Sequence, residues 1–180
     1  VMLKTPSCIS RMERTGVVST ETAQALGAVG MAARSSGVDI DTRFDFNDKW
    51  YTSLDVVKPF KATGDVHSRF KLRYKEIKQS MQIVKKLLDK LKEFRNEQIL
   101  TNPNKTLAPN AFAISMTEGW RGEIVHIALT GANGELLRYK MKDPSFNNWY
   151  MLAMAVRNNG VSDFPLCNKS FNLSYCGNDL

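Results

Sequence analysis

The sequence predicts an α+β fold: a bundle built on one long helix, then a small three-stranded antiparallel meander, then an extended C-terminal tail. Three observations carry this. Apolar residues recur every three or four positions from Val66 to Phe94. The period shortens to two between Ala111 and Met141, where Asn133-Gly134 marks a hairpin. Helix and strand patterns are segregated along the chain rather than alternating. We expect a single domain, with a helical part over about 15–100, the meander over about 111–141, and a helix and tail over 145–180.

Each element has a local cause. Ser19 or Thr20 can cap a short helix over Thr22–Ala33, with Glu21 in its first turn, where the helix dipole favours negative charge. Gly27 and Gly30 weaken that helix by about 1 kcal/mol each relative to Ala, and two such residues suggest close approach of another backbone. Gly37 suits a left-handed cap. From Asp39 to Pro59 the aromatics Phe44, Phe46, Trp50 and Tyr51 follow no period, which reads as a loop pinned to a core. An aromatic cofactor box is the alternative there.

The long helix is the clearest element. Phe70, Tyr74, Ile77, Met81, Val84, Leu88 and Leu91 are spaced alternately by four and three, which places them on one narrow seam. Lysines occupy the other faces, and Asp65 sits at the start. The helix reads as scaffold first, with docking against a neighbouring subunit as its functional alternative. Thr101–Lys105 and Pro109 make a turn-rich connector. Strands follow over Ala111–Thr117, Glu123–Thr130 and Glu135–Met141, the last two joined by a two-residue turn at Asn133-Gly134. Phe146–Arg157 returns to helix and Asn159-Gly160 stops it. Val161–Leu180, with Pro165 and Gly177 and no long period, reads as an extended or looped tail.

Composition narrows the function classes. At 180 residues, 43% apolar and 24% charged, the chain has an ordinary soluble globular composition. No apolar run approaches the roughly 20 residues a spanning helix needs. The start, Val1-Met-Leu-Lys-Thr5, lacks the apolar core of a secretory signal, and opening on Val reads as a piece of a longer chain. Cys8, Cys167 and Cys176 share no CxxC spacing, so reduced cytosolic thiols are expected rather than a disulfide framework. His67 and His126 are not at zinc-ligand spacing, and His126 reads as a satisfied strand histidine. The net charge of +7 gathers on the long helix as a solvated face, so nucleic acid is not an expected partner. No phosphate-cradling glycine loop, nucleophile elbow or HExxH is present.

Five blocks in fixed order then become informative. They are Arg14–Gly37 with Asp41-Thr-Arg43 after it, Gly64-Asp-Val-His-Ser-Arg-Phe70, Glu118-Gly-Trp-Arg-Gly-Glu123, Val161–Leu166, and Ser170–Leu180. In this order they resemble the C-terminal half of the large subunit of membrane-bound (group 4, formate-hydrogenlyase-like) nickel–iron hydrogenases and of the 49-kDa subunit of respiratory complex I. The third block stands where that family has E-A-P-R-G-E or E-A-P-R-G-D, keeping Glu118, Arg121 and Gly122 but placing Gly119-Trp120 for Ala-Pro.

The hydrogenase branch binds nickel and iron through four thiolates, two of them in a D-P-C-x-x-C ending, because soft sulfur suits these metals. Here Ser174 and Gly177 occupy those two places and Cys176 falls one residue short, so no metal is expected in this chain. The tail instead aligns with the complex I ending D-I-V-F-G-E-V-D-R. Asn172, Leu173, Tyr175 and Asp179 sit on matching or similar residues, and Leu180 departs from the final Arg.

The resemblance implies a hydrogenase-large-subunit-like fold and one wall of a quinone or other acceptor pocket. The expected pocket residues are Glu118, Arg121, Ser174, Tyr175 and Asp179, with no catalytic residue and no cofactor held by this chain. Arg121 either stabilises charge on a reduced acceptor, with Glu118 orienting it, or anchors the strand turn in a structural ion pair. Cys176 reads as a small buried hydrophobe, Asp163 as a cap for the turn that follows, and Arg34 and Arg43 as braces of the glycine-rich exit. The implied partners are a small iron–sulfur subunit with a 4Fe-4S cluster nearby, membrane subunits, and the N-terminal half of the large subunit. The implied location is cytoplasmic, in the peripheral arm of a membrane complex. A non-catalytic scaffold with the same fold and a hydrogenase subunit with shifted nickel ligands are the alternatives.

Overall fold

The structure is a computed structural model that describes residues 4–46, 51, 53–54, 56–59, 61–94, 100 and 106–176. Its order is α1 (Pro6–Met12), α2 (Thr20–Ala25), α3 (Gly30–Ser35), α4 (Thr42–Asp45), α5 (Val66–Leu91), a 3₁₀ turn (Lys92–Phe94), β1 (Phe112–Gly119), β2 (Gly122–Thr130), β3 (Leu136–Lys142), α6 (Ser145–Ala155), a 3₁₀ turn (Val161–Asp163) and α7 (Phe164–Phe171). The class is α+β, as expected. Trp50 and Asp179 lie outside the described residues.

The core is built where short helices meet the first turns of α5. Ala32 and Ala33 of α3, Val66 of α5, Met151 and Ala155 of α6 and Phe171 of α7 form one buried apolar cluster. Small side chains on α3 let its backbone come close to α5 and β2, with which it packs. Asp65 starts α5 as its N-cap, its carboxylate accepting from the Ser68 amide at 2.7 Å. Ser19 caps α2 in the same way, accepting from the Thr22 amide at 3.2 Å.

The sheet is a plain antiparallel meander in the order β1-β2-β3, pairing Met116 with Val125 and His126 with Met141. His126 is satisfied within it, its Nδ1 lying 2.5 Å from the Tyr139 hydroxyl. The end of the sheet at Gly119–Gly122 is fixed by packing of β1 on α4 and β2 on α3. Both outer strands are largely exposed towards the far end.

Four local expectations change. Thr22–Ala33 is two helices rather than one, broken at Leu26–Val29, because Gly30 takes φ +62° and a Cβ there would stand 2.2 Å from Gly122 Cα. The close approach of backbones overrides helix continuity. The loop with aromatics contains α4, capped by the Asp41 carboxylate accepting from the Arg43 amide, and Phe46 is exposed rather than pinned. The hairpin turn is longer than two residues. Gly134 donates to Gly131 O, Gly131 donates to Glu135 O, and only Gly134 of the expected pair has positive φ, which is a type I turn closed by a bulge. Finally, the tail is helical over Phe164–Phe171. Pro165 stands in the first turn, where its missing N–H costs nothing, and Asn172 ends the helix in the left-handed conformation.

Candidate functional site

Two charged loci flank the junction of α5, the β1–β2 turn and the tail. The first is a buried ion network centred on Arg34, only 1% exposed. α3 carries this side chain inward, where Nη2 reaches Glu76 at 2.6 Å and Nη1 reaches Glu118 at 2.8 Å and Asp41 at 3.2 Å. Arg43 adds a second cation on Asp41 at 2.6 Å. Glu118 also accepts from the Thr42 hydroxyl at 3.1 Å. Burial works against the Arg34 charge, but Glu76, Glu118 and Asp41 outweigh it and raise its pKa. For Asp41 burial is likewise outweighed, by Arg43 and Arg34, and its pKa falls. This network closes one end of a cleft of about 280 Å³ that runs to Tyr51, Val84 and Trp120.

The second locus is positive, with Asp65 and Glu76 near it but not paired to it. Arg69, Arg73, Arg121 and Lys169 converge on the C-terminal end of α7. Arg69 is fully buried. Its Nε donates to Ser170 Oγ and its two terminal nitrogens to Gly64 O and Gly16 O, each at 2.8 Å, while the guanidinium lies over the Phe171 ring. Arg73 donates to Phe171 O at 3.2 Å, and Arg121 Nε donates to Asn172 O at 2.5 Å. These carbonyls are the unpaired end of α7, where a cation is favoured. Among the described residues none of the four cations forms an ion pair. Burial pushes the Arg69 pKa down to about 10. It also lowers that of Arg73, with Glu76 opposing and the Arg121 charge adding to the fall.

Beside these cations opens an apolar cleft of about 350 Å³. Met12, Val66, Phe70 and Leu166 form its walls, and Arg73 and Lys169 supply its charge. Apolar walls with a few convergent polar groups are the usual make-up of a small-molecule site.

The residues expected from sequence divide between these places. Arg121 reaches the tail through Asn172, a residue that lines the apolar cleft. Glu118 does not orient it; the carboxylate is bound to Arg34 and Thr42 instead. Ser174 is held by its amide donating to Ser145 Oγ at 2.9 Å. Tyr175 is 70% exposed, packs at a tilt of 55° against Trp149 with a 5.1 Å centroid distance and accepts from Asn168. Asp163 binds the Gly160 amide and Arg11 and makes no side-chain cap to α7. Cys176 is exposed rather than buried, and Cys167 is the buried thiol.

Sequence reasoning misses Asp41, Glu76, Arg69 and Arg73 as site residues. Arg73 has no distinguishing signal within a lysine-rich helix. Arg69 stands in the Gly64–Phe70 block, whose only signal in the sequence is its resemblance.

The donor set does not fit a nickel–iron centre. Ser174 offers a hydroxyl, 3.6 Å from the Cys176 sulfur, where soft-metal ligation needs a thiolate. Among the described residues no three His, Cys, Asp or Glu side chains converge to hold a metal ion. Nor is any helix among them long and apolar enough to cross a membrane.

Comparison with known proteins agrees with the resemblance. Residues 1–113 match the family described as the 49-kDa subunit of the respiratory-chain NADH dehydrogenase. Formate hydrogenlyase subunit 5 of Escherichia coli K12 is 31% identical over 179 residues, covering 99% of this chain and 31% of that protein. The membrane-bound hydrogenase subunit alpha of Pyrococcus furiosus is 32% identical over 178 aligned residues, covering 91% and 41%. One NADH-quinone oxidoreductase subunit, from Syntrophobacter fumaroxidans, is 27% identical over 157 residues, covering 86% and 41%. The chain thus spans between about a third and two fifths of the length of these curated relatives.

Proposed function

The chain belongs to the family of the 49-kDa subunit of the respiratory-chain NADH dehydrogenase, and from that premise we propose that it forms one wall of an acceptor pocket in a membrane-associated oxidoreductase complex. The acceptor class is a quinone or a similar apolar ring carrying oxygens. An iron–sulfur subunit beside this chain supplies the electrons, membrane subunits complete the complex, and the assembly lies on the cytoplasmic side of the membrane.

One observation carries the reading: the apolar cleft at Phe70 and Leu166 meets Arg73 and Lys169, and neither cation forms an ion pair among the described residues. Apolar walls suit the ring. As the acceptor takes electrons its oxygens gain negative charge, and fixed cations in a water-poor site stabilise that charge strongly. Arg73 is held below its usual pKa range by burial, so an arriving anion relieves part of the cost of keeping it charged. Arg121 and Arg69 act as positioning residues, holding Asn172 and Ser170 at the rim.

A second reading, a scaffold that kept the fold, is favoured by Glu118, whose carboxylate is fully engaged by Arg34 and Thr42. Affinity purification of the full-length protein from detergent-solubilised native membranes, with mass spectrometry and metal analysis, separates the readings. Co-purification of an iron–sulfur subunit and membrane subunits without stoichiometric nickel is expected. A lone protein contradicts the pocket reading, and stoichiometric nickel overturns the account of the tail.

A further inference from the structure

Arg73 enters the acceptor cleft unpaired, although a carboxylate stands one helical turn away. Glu76 follows it by three positions on α5, a spacing at which arginine and glutamate side chains are neighbours and pair readily. Here they do not pair. The Arg73 guanidinium donates to Phe171 O at 3.2 Å and lies 5.5 Å from the centre of the Trp120 ring. The Glu76 carboxylate is taken instead by Arg34 Nη2 at 2.6 Å. The two are close enough to interact all the same: burial lowers the Arg73 pKa and the Glu76 charge opposes the fall.

Arg34 divides its two terminal nitrogens between its partners. Nη1 serves Glu118 at 2.8 Å, Asp41 at 3.2 Å and Ile40 O at 3.0 Å, while Nη2 serves Glu76. Asp41 has a second cation in Arg43, and Glu118 a second donor in Thr42. Among the described residues Glu76 has no other partner, and its side chain is only 11% exposed, so little water can replace the guanidinium. Arg43 also feels the Glu76 charge, but its Nε and Nη2 are both committed to Asp41, at 2.8 and 2.6 Å. Arg73, on the same helix, is the cation left for a released Glu76.

We propose that Arg34 is a positioning residue for the acceptor site: by holding Glu76 it keeps that carboxylate off Arg73 and leaves the Arg73 charge to the bound acceptor. The inference rests on the reading of the Arg73 cleft as the acceptor's seat. A carboxylate tethered one turn away acts at a high effective concentration, so once released it competes strongly with acceptor oxygens for the same guanidinium.

Reduction of decylubiquinone by the purified native complex tests this. Arg34→Met should raise KM about tenfold, and adding Glu76→Gln, which removes the released competitor, should bring KM back to within about twofold of the unsubstituted complex. Glu118→Gln in the same background also removes a buried carboxylate left without its cation. It should recover as much of the lost unfolding midpoint as Glu76→Gln does, yet leave KM high. Because both double variants relieve the buried charge, their comparison stands even where Arg34→Met alone fails to assemble. Equal recovery of KM by both, or recovery by neither, would overturn the proposal, as would an unchanged KM in assembled Arg34→Met. Arg73→Gln run in parallel keeps two failures apart. A raised KM there, with no difference between the double variants, leaves the acceptor's seat standing and removes the role of Arg34. An unchanged KM in Arg73→Gln overturns the seat and this inference with it.

Discussion

Arg34 and Glu118, 84 positions apart in sequence, meet at 2.8 Å in the protein interior, the arginine 1% and the glutamate side chain 4% exposed. The contact ties the C-terminal end of β1 to α3. Through Glu76 it also ties both to α5. It is therefore the joint that sets the sheet and the long helix at a fixed relation around the charged cleft.

Removing the cation should be costly. Arg34→Met leaves Glu76, Glu118 and Asp41 as buried carboxylates with their shared counter-charge gone. We expect a loss of about 3–5 kcal/mol, read as a shift of the denaturant midpoint at unchanged slope.

The same network gives an acid-side dependence. The folded state holds the Asp41 carboxyl below its ordinary value of 3.8. Between that lowered value and 3.8 the unfolded chain binds more protons, so stability rises with pH across this window. The contribution is complete above 3.8 and disappears as pH falls through the folded value. In denaturant titrations from about pH 6 down to about pH 3, Asp41→Asn should flatten this part of the profile.

The approach of α3 to β2 should tolerate no side chain. Gly30→Ala puts a Cβ into Gly122 at a positive φ, so both strain and clash oppose it. A loss of about 3 kcal/mol or more is expected in thermal or chemical unfolding, whereas Gly131→Ala, which meets only the Glu135 side chain, should cost much less.

The thiols should separate kinetically. Cys176 is exposed, and Cys167 is buried with its pKa raised by that burial. Under native conditions a thiol reagent should modify Cys176 first, and Cys167 only on unfolding.

What the sequence makes legible follows the length of each pattern. α5 shows seven seam positions and an Asp65 cap, and its start and end agree with expectation. The meander shows alternation long enough to place three strands, although the turn type depends on backbone hydrogen bonds at Gly131 that no dipeptide announces. α7 runs for eight residues, too few for a period to stand out, and Pro165 resembles a breaker when it is a first-turn residue. The break in Thr22–Ala33 is decided by Gly122, which is remote in sequence and touches Gly30 only in the folded chain.

The site divides in the same manner. Arg121 is conspicuous through its block, and the structure brings it to Asn172. Arg34 stands out only as a brace of the glycine-rich exit, because Glu76 and Glu118 come to it through tertiary packing. Arg73 is invisible among lysines, since what distinguishes it is the carbonyl of Phe171 and the cleft beside it.

The cleft beside Arg73 is the proposed seat of the electron acceptor. Its most direct test is reduction of decylubiquinone by the purified native complex carrying Arg73→Gln, with subunit composition confirmed intact. KM for the quinone should rise about tenfold, equivalent to about 1.4 kcal/mol of lost binding. An intact complex with unchanged KM and kcat would contradict it.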